Sequence, residues 1–104
     1  MYVIIWEYRV KADHVAEFEK IYASNGAWTE LFSKDAGYQG TEFLQDLDDA
    51  QRYITIDRWT SSRAYDAFLA QWHKEYEALD VYCKDLTEQD NLMGRGESIT
   101  HATR

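Results

Sequence analysis

Residues 53–59, Tyr53-Ile54-Thr55-Ile56-Asp57-Arg58-Trp59, decide the fold. The run is β-branched and aromatic, so it reads as a strand. Side chains along a strand alternate between two faces, so Tyr53, Thr55, Asp57 and Trp59 share one face. Arg58 points to the opposite one. Upstream lies the polar turn Asp46-Leu47-Asp48-Asp49-Ala50-Gln51-Arg52, preceded by a second strand-like run from Tyr38 to Gln45 that Gly37 opens. Two such runs joined by a short polar connection predict an antiparallel hairpin. Downstream, Ser61 or Ser62 caps the longest helix. Its stripe of Tyr65, Phe68, Trp72, Tyr76, Leu79 and Cys83 steps by three or four residues, the spacing of one helical face.

The flanks complete the pattern. Residues 2–10, YVIIWEYRV, are apolar on both faces, as in a strand covered on two sides. Asp13 then caps a helix carrying Val15, Phe18 and Tyr22, and Asn25-Gly26 ends it. Trp28, Leu31 and Phe32 mark a short second helical piece. A weaker strand is expected from about Leu86 to Met93. The resulting order is strand, helix, strand, strand, helix, strand: the α+β, ferredoxin-like βαββαβ arrangement with an antiparallel four-stranded sheet. Such a sheet carries helices on one face only. Its other face is too apolar for water, and a second copy of the chain is the economical cover, giving a dimeric α/β barrel. Residues 1–95 are expected to form the domain, and 96–104 a flexible C-terminal tail.

Composition narrows the function. Aromatic residues make up 15% of the 104 residues, with four Trp and eight Tyr, which suits a wide pocket, an interface between copies, or both. A net charge of −8 repels phosphate backbones and anionic lipid, so neither nucleic acid nor a membrane is an expected partner. The opening residues read as a strand rather than a signal peptide. Cys83 is the single cysteine, so no internal disulfide forms, and a reducing, cytoplasmic setting is the simplest expectation.

With the elements placed, Asp57-Arg58-Trp59-Thr60-Ser61, followed by Ala64-Tyr65 and His73, resembles the pattern that closes the third strand in the antibiotic biosynthesis monooxygenase (ABM) domain family. Gly26-Ala27-Trp28 with Leu31-Phe32, Gly37-Tyr38-Gln39-Gly40 with Glu42, and Arg52-Tyr53 are similar to one branch of it. The resemblance spans about residues 2–95. It implies a homodimer with a pocket between sheet and helices in each protomer. It also implies, for some members, oxidation of phenolic or quinol-like compounds without metal or flavin, the deprotonated substrate itself giving an electron to O₂. On that model no cofactor is expected. The superfamily also holds haem degraders, isomerases and other proteins, so fold alone does not assign activity. Haem degradation fits poorly, because the first strand offers Trp6, Glu7 and Tyr8 where that branch carries Asn.

The candidate site residues each have two readings. Trp59 either stacks on a planar ligand at the pocket mouth or anchors the strand–helix corner by packing. His73, on the long helix and one step off the apolar stripe, either points along the pocket edge as a base or points into water. Asp57, a carboxylate among aromatics, either accepts a phenol proton, or forms an ion pair with Arg58's neighbours or Arg9, or makes a contact across a dimer. Tyr53, Tyr65 and Tyr76 either position a ligand oxygen or pack with their hydroxyls in water. Trp28, Trp72 and Tyr76 either line a pocket or fill it. His14, His73, His101 and Cys83 lack zinc-ligand spacing, and Asp46-Asp48-Asp49 lacks the Gly of a calcium loop, so no metal site is expected. Two functions remain: a cofactor-independent monooxygenase for a small aromatic or quinol-like compound, or a non-catalytic ligand-binding or accessory homodimer.

Overall fold

A computed structural model of the chain describes residues 1–99. Four strands, β1 (Tyr2–Val10), β2 (Tyr38–Gln45), β3 (Arg52–Trp59) and β4 (Thr87–Glu97), alternate with helices α1 (Val15–Tyr22), α2 (Ala27–Phe32) and α3 (Ser62–Lys84). The sheet order is β2-β3-β1-β4. All of its pairings are antiparallel. This is the ferredoxin-like βαββαβ architecture, with α2 as a short extra turn before the hairpin.

Burial follows the strand alternation. Along β3 every inward residue, Tyr53, Thr55, Asp57 and Trp59, is buried, and every outward one is partly exposed. In β1, Tyr2, Ile4, Tyr8 and Val10 are buried on the same inner face. Trp6 pairs with Thr55 on that face but stays partly exposed, and this break in the alternation lies beneath a cavity. Trp59 and Phe68 are fully buried, and Trp59 packs edge-on against Phe32 and Tyr65 with ring centroids 5.5 and 5.3 Å apart. At the other end Phe18 stacks on Tyr22 at 4.0 Å, and Tyr8 meets both edge-on. Aromatic contacts thus tie the helices to the sheet along the inner face, where aliphatic residues are few.

Several boundaries differ from the sequence expectation, each for a local reason. Asp13 does not cap α1; a 3₁₀ turn, Ala12–His14, comes first and leaves His14 at the N-cap position. The helix ends at Tyr22, and Gly26 starts α2 instead of closing α1. A Cβ on Gly26 would sit 2.6 Å from the Lys20 carbonyl oxygen and closer still to that of Ile21, so only glycine lets α2 begin against α1. Gly40, at φ 120°, occupies the irregular pairing near the start of β2. Ser61 is the α3 cap, its Oγ accepting from the Ala64 N–H at 3.0 Å. Strand β4 continues past Met93 through Gly94-Arg95-Gly96, where Gly96 pairs with Val3 and Glu97 with Tyr2. Ser98 N–H then bonds the Met1 carbonyl. The remainder of the expected tail, 100–104, lies outside the described residues.

Gly26→Ala is expected to destabilise the protein by about 3 kcal/mol, because the clash is with backbone that cannot rotate away. Urea unfolding of the two proteins, compared at equal slope, measures it.

Candidate active site

The core-facing side of β3 carries two polar residues among aromatics, and they define the site. Thr55 and Asp57 are 3% and 8% exposed. Thr55 Oγ1 is 3.0 Å from the Tyr8 hydroxyl. Asp57 Oδ1 accepts from Thr41 Oγ1 at 2.7 Å, and the Tyr38 hydroxyl in turn meets Thr41 Oγ1 at 2.5 Å. Since Thr41 gives its proton to Asp57, Tyr38 is the donor in that second bond. Asp57 Oδ2 has no hydrogen-bond partner among the described residues.

The free oxygen belongs to a residue that lines a cavity between the sheet and the helices. Its walls are Trp6, Tyr8 and Tyr22, with Trp28 and Phe32 from α2 and Tyr76 from α3; Thr29, Thr41, Thr55, Asp57, Asp80 and Asp90 supply the polar surface. Together with the solvent at its mouth the cleft takes in about 520 Å³ of space. The hollow is narrow and opens to solvent. Beside it, α3 departs from helical geometry at Trp72, with φ −116° and ψ 20°. Its second half carries Tyr76 and Asp80 over the hollow, and its first half packs Phe68 on Trp59.

Burial sets the electrostatics. It raises the Asp57 carboxyl to about 6, against an ordinary 3.8, although the Thr41 bond pulls the other way. Burial also pushes Tyr8 well above its usual value, opposed by its bond to Thr55. Tyr65 and Tyr76 are raised first by burial, and their hydroxyls act on each other. All three tyrosines therefore stay protonated near neutrality and can donate. Asp57, with its carboxyl raised to about 6, changes charge between pH 5 and 7.

The candidates separate. Asp57, Tyr76 and Trp28 meet at the cavity. Trp59 is wholly enclosed by Phe32, Tyr38, Tyr65 and Phe68 and does not line it. Tyr65 sits between Trp59 and Tyr2, approaching Tyr76 from that side. Trp72 lies with Lys34 Nζ over its ring at 5.2 Å, away from the lining. His73 is exposed on α3 and also outside it. The ion pair considered for Asp57 does not form: Arg9 holds Asp49 at 2.7 Å and Glu88 at 3.2 Å, and Arg58 holds Glu42 at 2.7 Å. Tyr53 donates to Glu19 at 2.5 Å and turns away from the cavity, its pKa raised to about 12 chiefly by burial. Trp6, Tyr8, Thr41 and Thr55 were missed from sequence. Thr55 was legible as a strand neighbour of Asp57; Trp6 required the β1–β3 register and Thr41 the β2–β3 register.

Among the described residues no cluster of His, Cys, Asp and Glu is arranged to hold a metal ion. No helix among them is long and apolar enough to cross a membrane.

Known proteins were compared with this chain. The family model for antibiotic biosynthesis monooxygenase matches residues 1–76. Among solved structures, a single-site variant of SnoaB, a cofactor-independent oxygenase from Streptomyces nogalater, superposes with a TM-score of 0.83 at 19% identity, over 99% of this chain and 97% of that one. A candidate antibiotic biosynthesis monooxygenase from Deinococcus radiodurans gives a TM-score of 0.78 at 15% identity, over 100% and 98% of the two chains. One from Nitrosomonas europaea gives 0.72 at 18% identity, over 96% and 100%. At such identities the likeness establishes the fold. No curated protein matches the sequence.

The raised Asp57 carboxyl has a stability consequence. Below pH 3.8 it is protonated folded and unfolded, and contributes nothing. Between 3.8 and about 6 the unfolded chain ionises first, so stability falls as pH rises, by about 3 kcal/mol once both forms are charged. Asp57→Asn, which keeps an acceptor for Thr41, is expected to stabilise the protein by about 2 kcal/mol at pH 8 and by almost nothing at pH 3.5. Urea midpoints at the two pH values check this.

Proposed function

From the premise that this chain belongs to the antibiotic biosynthesis monooxygenase family, we propose that it is a cofactor-independent monooxygenase oxidising a small aromatic or quinol-like compound with O₂. The observation that carries this reading is the carboxylate of Asp57, buried in an aromatic cavity with one oxygen unpartnered among the described residues. A ring lying between Trp28, Trp6 and Tyr76 presents its hydroxyl or activated C–H to Asp57 Oδ2. Asp57 takes that proton, acting as general base with a pKa close to working pH. Tyr8 and Tyr76, held protonated by burial, donate to the oxygen on which negative charge develops. The substrate anion then reduces O₂. In the net reaction one oxygen atom enters the substrate and the other leaves as water with the two substrate hydrogens.

On this reading Trp59 and Tyr65 support the cavity from behind. Trp59 holds the end of β3, and Asp57 with it, against α2 and α3, which makes it a positioning residue. His73 and Trp72 have no part in the proton transfer.

A homodimer is part of the same proposal. The outer sheet face gathers Val3, Ile5, Ile54 and Ile56 at its centre, and an added Cβ at Gly40, Gly94 or Gly96 would meet nothing within 4 Å. Paired charges, Arg52 with Glu7 and Asp46, and Arg58 with Glu42, flank the apolar patch. That layout favours a second copy of the chain over open solvent. The narrowness of the cavity favours one competing reading, a ligand-binding or accessory dimer without catalysis.

Oxygen uptake separates the two. With a panel of hydroquinones and anthrones, wild type is expected to consume O₂, kcat/KM rising tenfold per pH unit below about 6 and levelling above it. Asp57→Asn should lose at least about a hundredfold, in the range a general base contributes. His73→Ala should stay within about twofold. No uptake across the panel sinks the enzyme and leaves the binding dimer. In light scattering the wild type should run as a dimer, and Ile56→Glu, which sets a charge in the apolar patch, as a monomer.

A further inference from the structure

The cavity that suits an aromatic substrate has an unusual charge balance for one in which an anion is to form. Among the described residues its lining contains three carboxylates, Asp57, Asp80 and Asp90, and no Lys, Arg or His. The three come from β3, α3 and β4 and converge: after burial, the largest cause, the charges of Asp80, Asp57 and Asp90 each help to raise the Tyr76 hydroxyl. Among the described residues the ion pair that any of the three makes is that of Asp80 with Lys84, whose exposed Nζ lies 3.8 Å from Asp80 Oδ2. Lys34 is engaged over Trp72, and Arg9 with Asp49 and Glu88. Asp57 lies deep, at 8% exposure, while the Asp80 side chain is 39% exposed and Asp90 is half-buried, so the latter two are the carboxylates nearer solvent.

We infer that the site selects a substrate whose ring carries a positively charged group, a protonated amine or a quaternary ammonium, and rejects ring compounds bearing a carboxylate or phosphate. The inference rests on the cavity being the substrate site proposed above. The geometry divides the ligand in two. The ring and its hydroxyl lie against Trp6, Trp28 and Asp57. The cation sits toward Asp80 and Asp90, against the face of Tyr76 or Trp28, where the ring quadrupole attracts it as the carboxylates do. A carboxylate there meets two like charges, with no guanidinium in the described lining to neutralise it.

The same arrangement resolves a difficulty in the chemistry. When Asp57 takes the proton of a neutral phenol its negative charge passes to the substrate, closer to Asp80 and Asp90, and the described lining holds no cation to balance it there. A substrate that brings its own ammonium group carries the balancing charge into the site, and is formally neutral after Asp57 takes the proton. Charge selection and proton abstraction then act on one molecule.

An isosteric trio tests this without turnover: 4-hydroxyphenethylamine, 4-hydroxyphenethyl alcohol and 4-hydroxyphenylacetate. Binding to the full-length protein is followed by tryptophan fluorescence and calorimetry at pH 7.5 and low salt, where screening is weak. The amine is expected to bind at least about tenfold tighter than the alcohol, and the carboxylate at least about tenfold weaker. In the Asp80→Asn/Asp90→Asn double variant, which changes two partly exposed residues, the amine's advantage should shrink to about threefold or less. Circular dichroism verifies that the variant is folded. Equal or tighter binding of the carboxylate, discrimination that survives the double variant, or failure of all three probes to bind wild type at millimolar concentration overturns the inference. The two readings fail separately. Amine binding with no O₂ uptake removes the monooxygenase and keeps the charge selection; O₂ uptake indifferent to substrate charge does the reverse.

Discussion

A carboxylate set two residues before a fully buried tryptophan, on the same face of one strand, is the constraint the rest of this structure answers to. Trp59 draws the end of β3 into the core, where Phe32, Phe68 and Tyr65 surround it. Period-two alternation then obliges Asp57 to face inward as well. A buried carboxylate with no partner is costly, and Arg is not recruited to meet it. The answer is half-satisfaction: Thr41 bonds one oxygen, Tyr38 supports Thr41, and the other oxygen meets the cavity. The raised pKa of Asp57 is the measure of what remains unpaid.

The two ends of the inner face have different textures as a result. Around Trp59, rings interlock at centroid distances near 5 Å and leave its side chain no exposure to solvent. Around Asp57, Thr55 and Trp6, the sheet residues are too polar or too loosely covered to close the gap, and a narrow cleft persists. The long helix serves both ends by changing course at Trp72. Its first half belongs to the tryptophan cluster, its second to the cleft.

Element order was legible because it depends on periodicity, which one sequence displays in full. The β3 alternation and the α3 stripe carried it, together with Ser61 at the cap. The Gly26 boundary was not legible, since a glycine after a helix most often ends it in a left-handed turn; here close approach of two backbones demands it. The site was legible in part. Asp57 stood out as a charge on an aromatic face, and Tyr76 and Trp28 as rings directed at the same space. Trp59 drew attention as a ring at a strand end, but a tryptophan that anchors a corner and one that stacks on a ligand look alike until burial is known. Thr41, Asp80 and Asp90 come from three different elements, and nothing in linear spacing brings them beside β3.

Membership in a monooxygenase family and the chemistry of this particular cleft answer different questions. The family accounts for the sheet and its covering helices, a fold that solved structures below 20% identity share. What enters the gap depends on the residues at its edge, and those lie where sequence is free to vary without disturbing the core. Asp80 is on the far half of α3, beyond the bend; Asp90 is on β4, an edge strand held by β1 alone. Neither contributes to the aromatic cluster that holds the fold. A change in either alters the field in the cleft and leaves Trp59, Phe68 and Asp57 as they are. On the proposed reading the scaffold therefore fixes where a proton is removed, while the rim decides which molecule presents it.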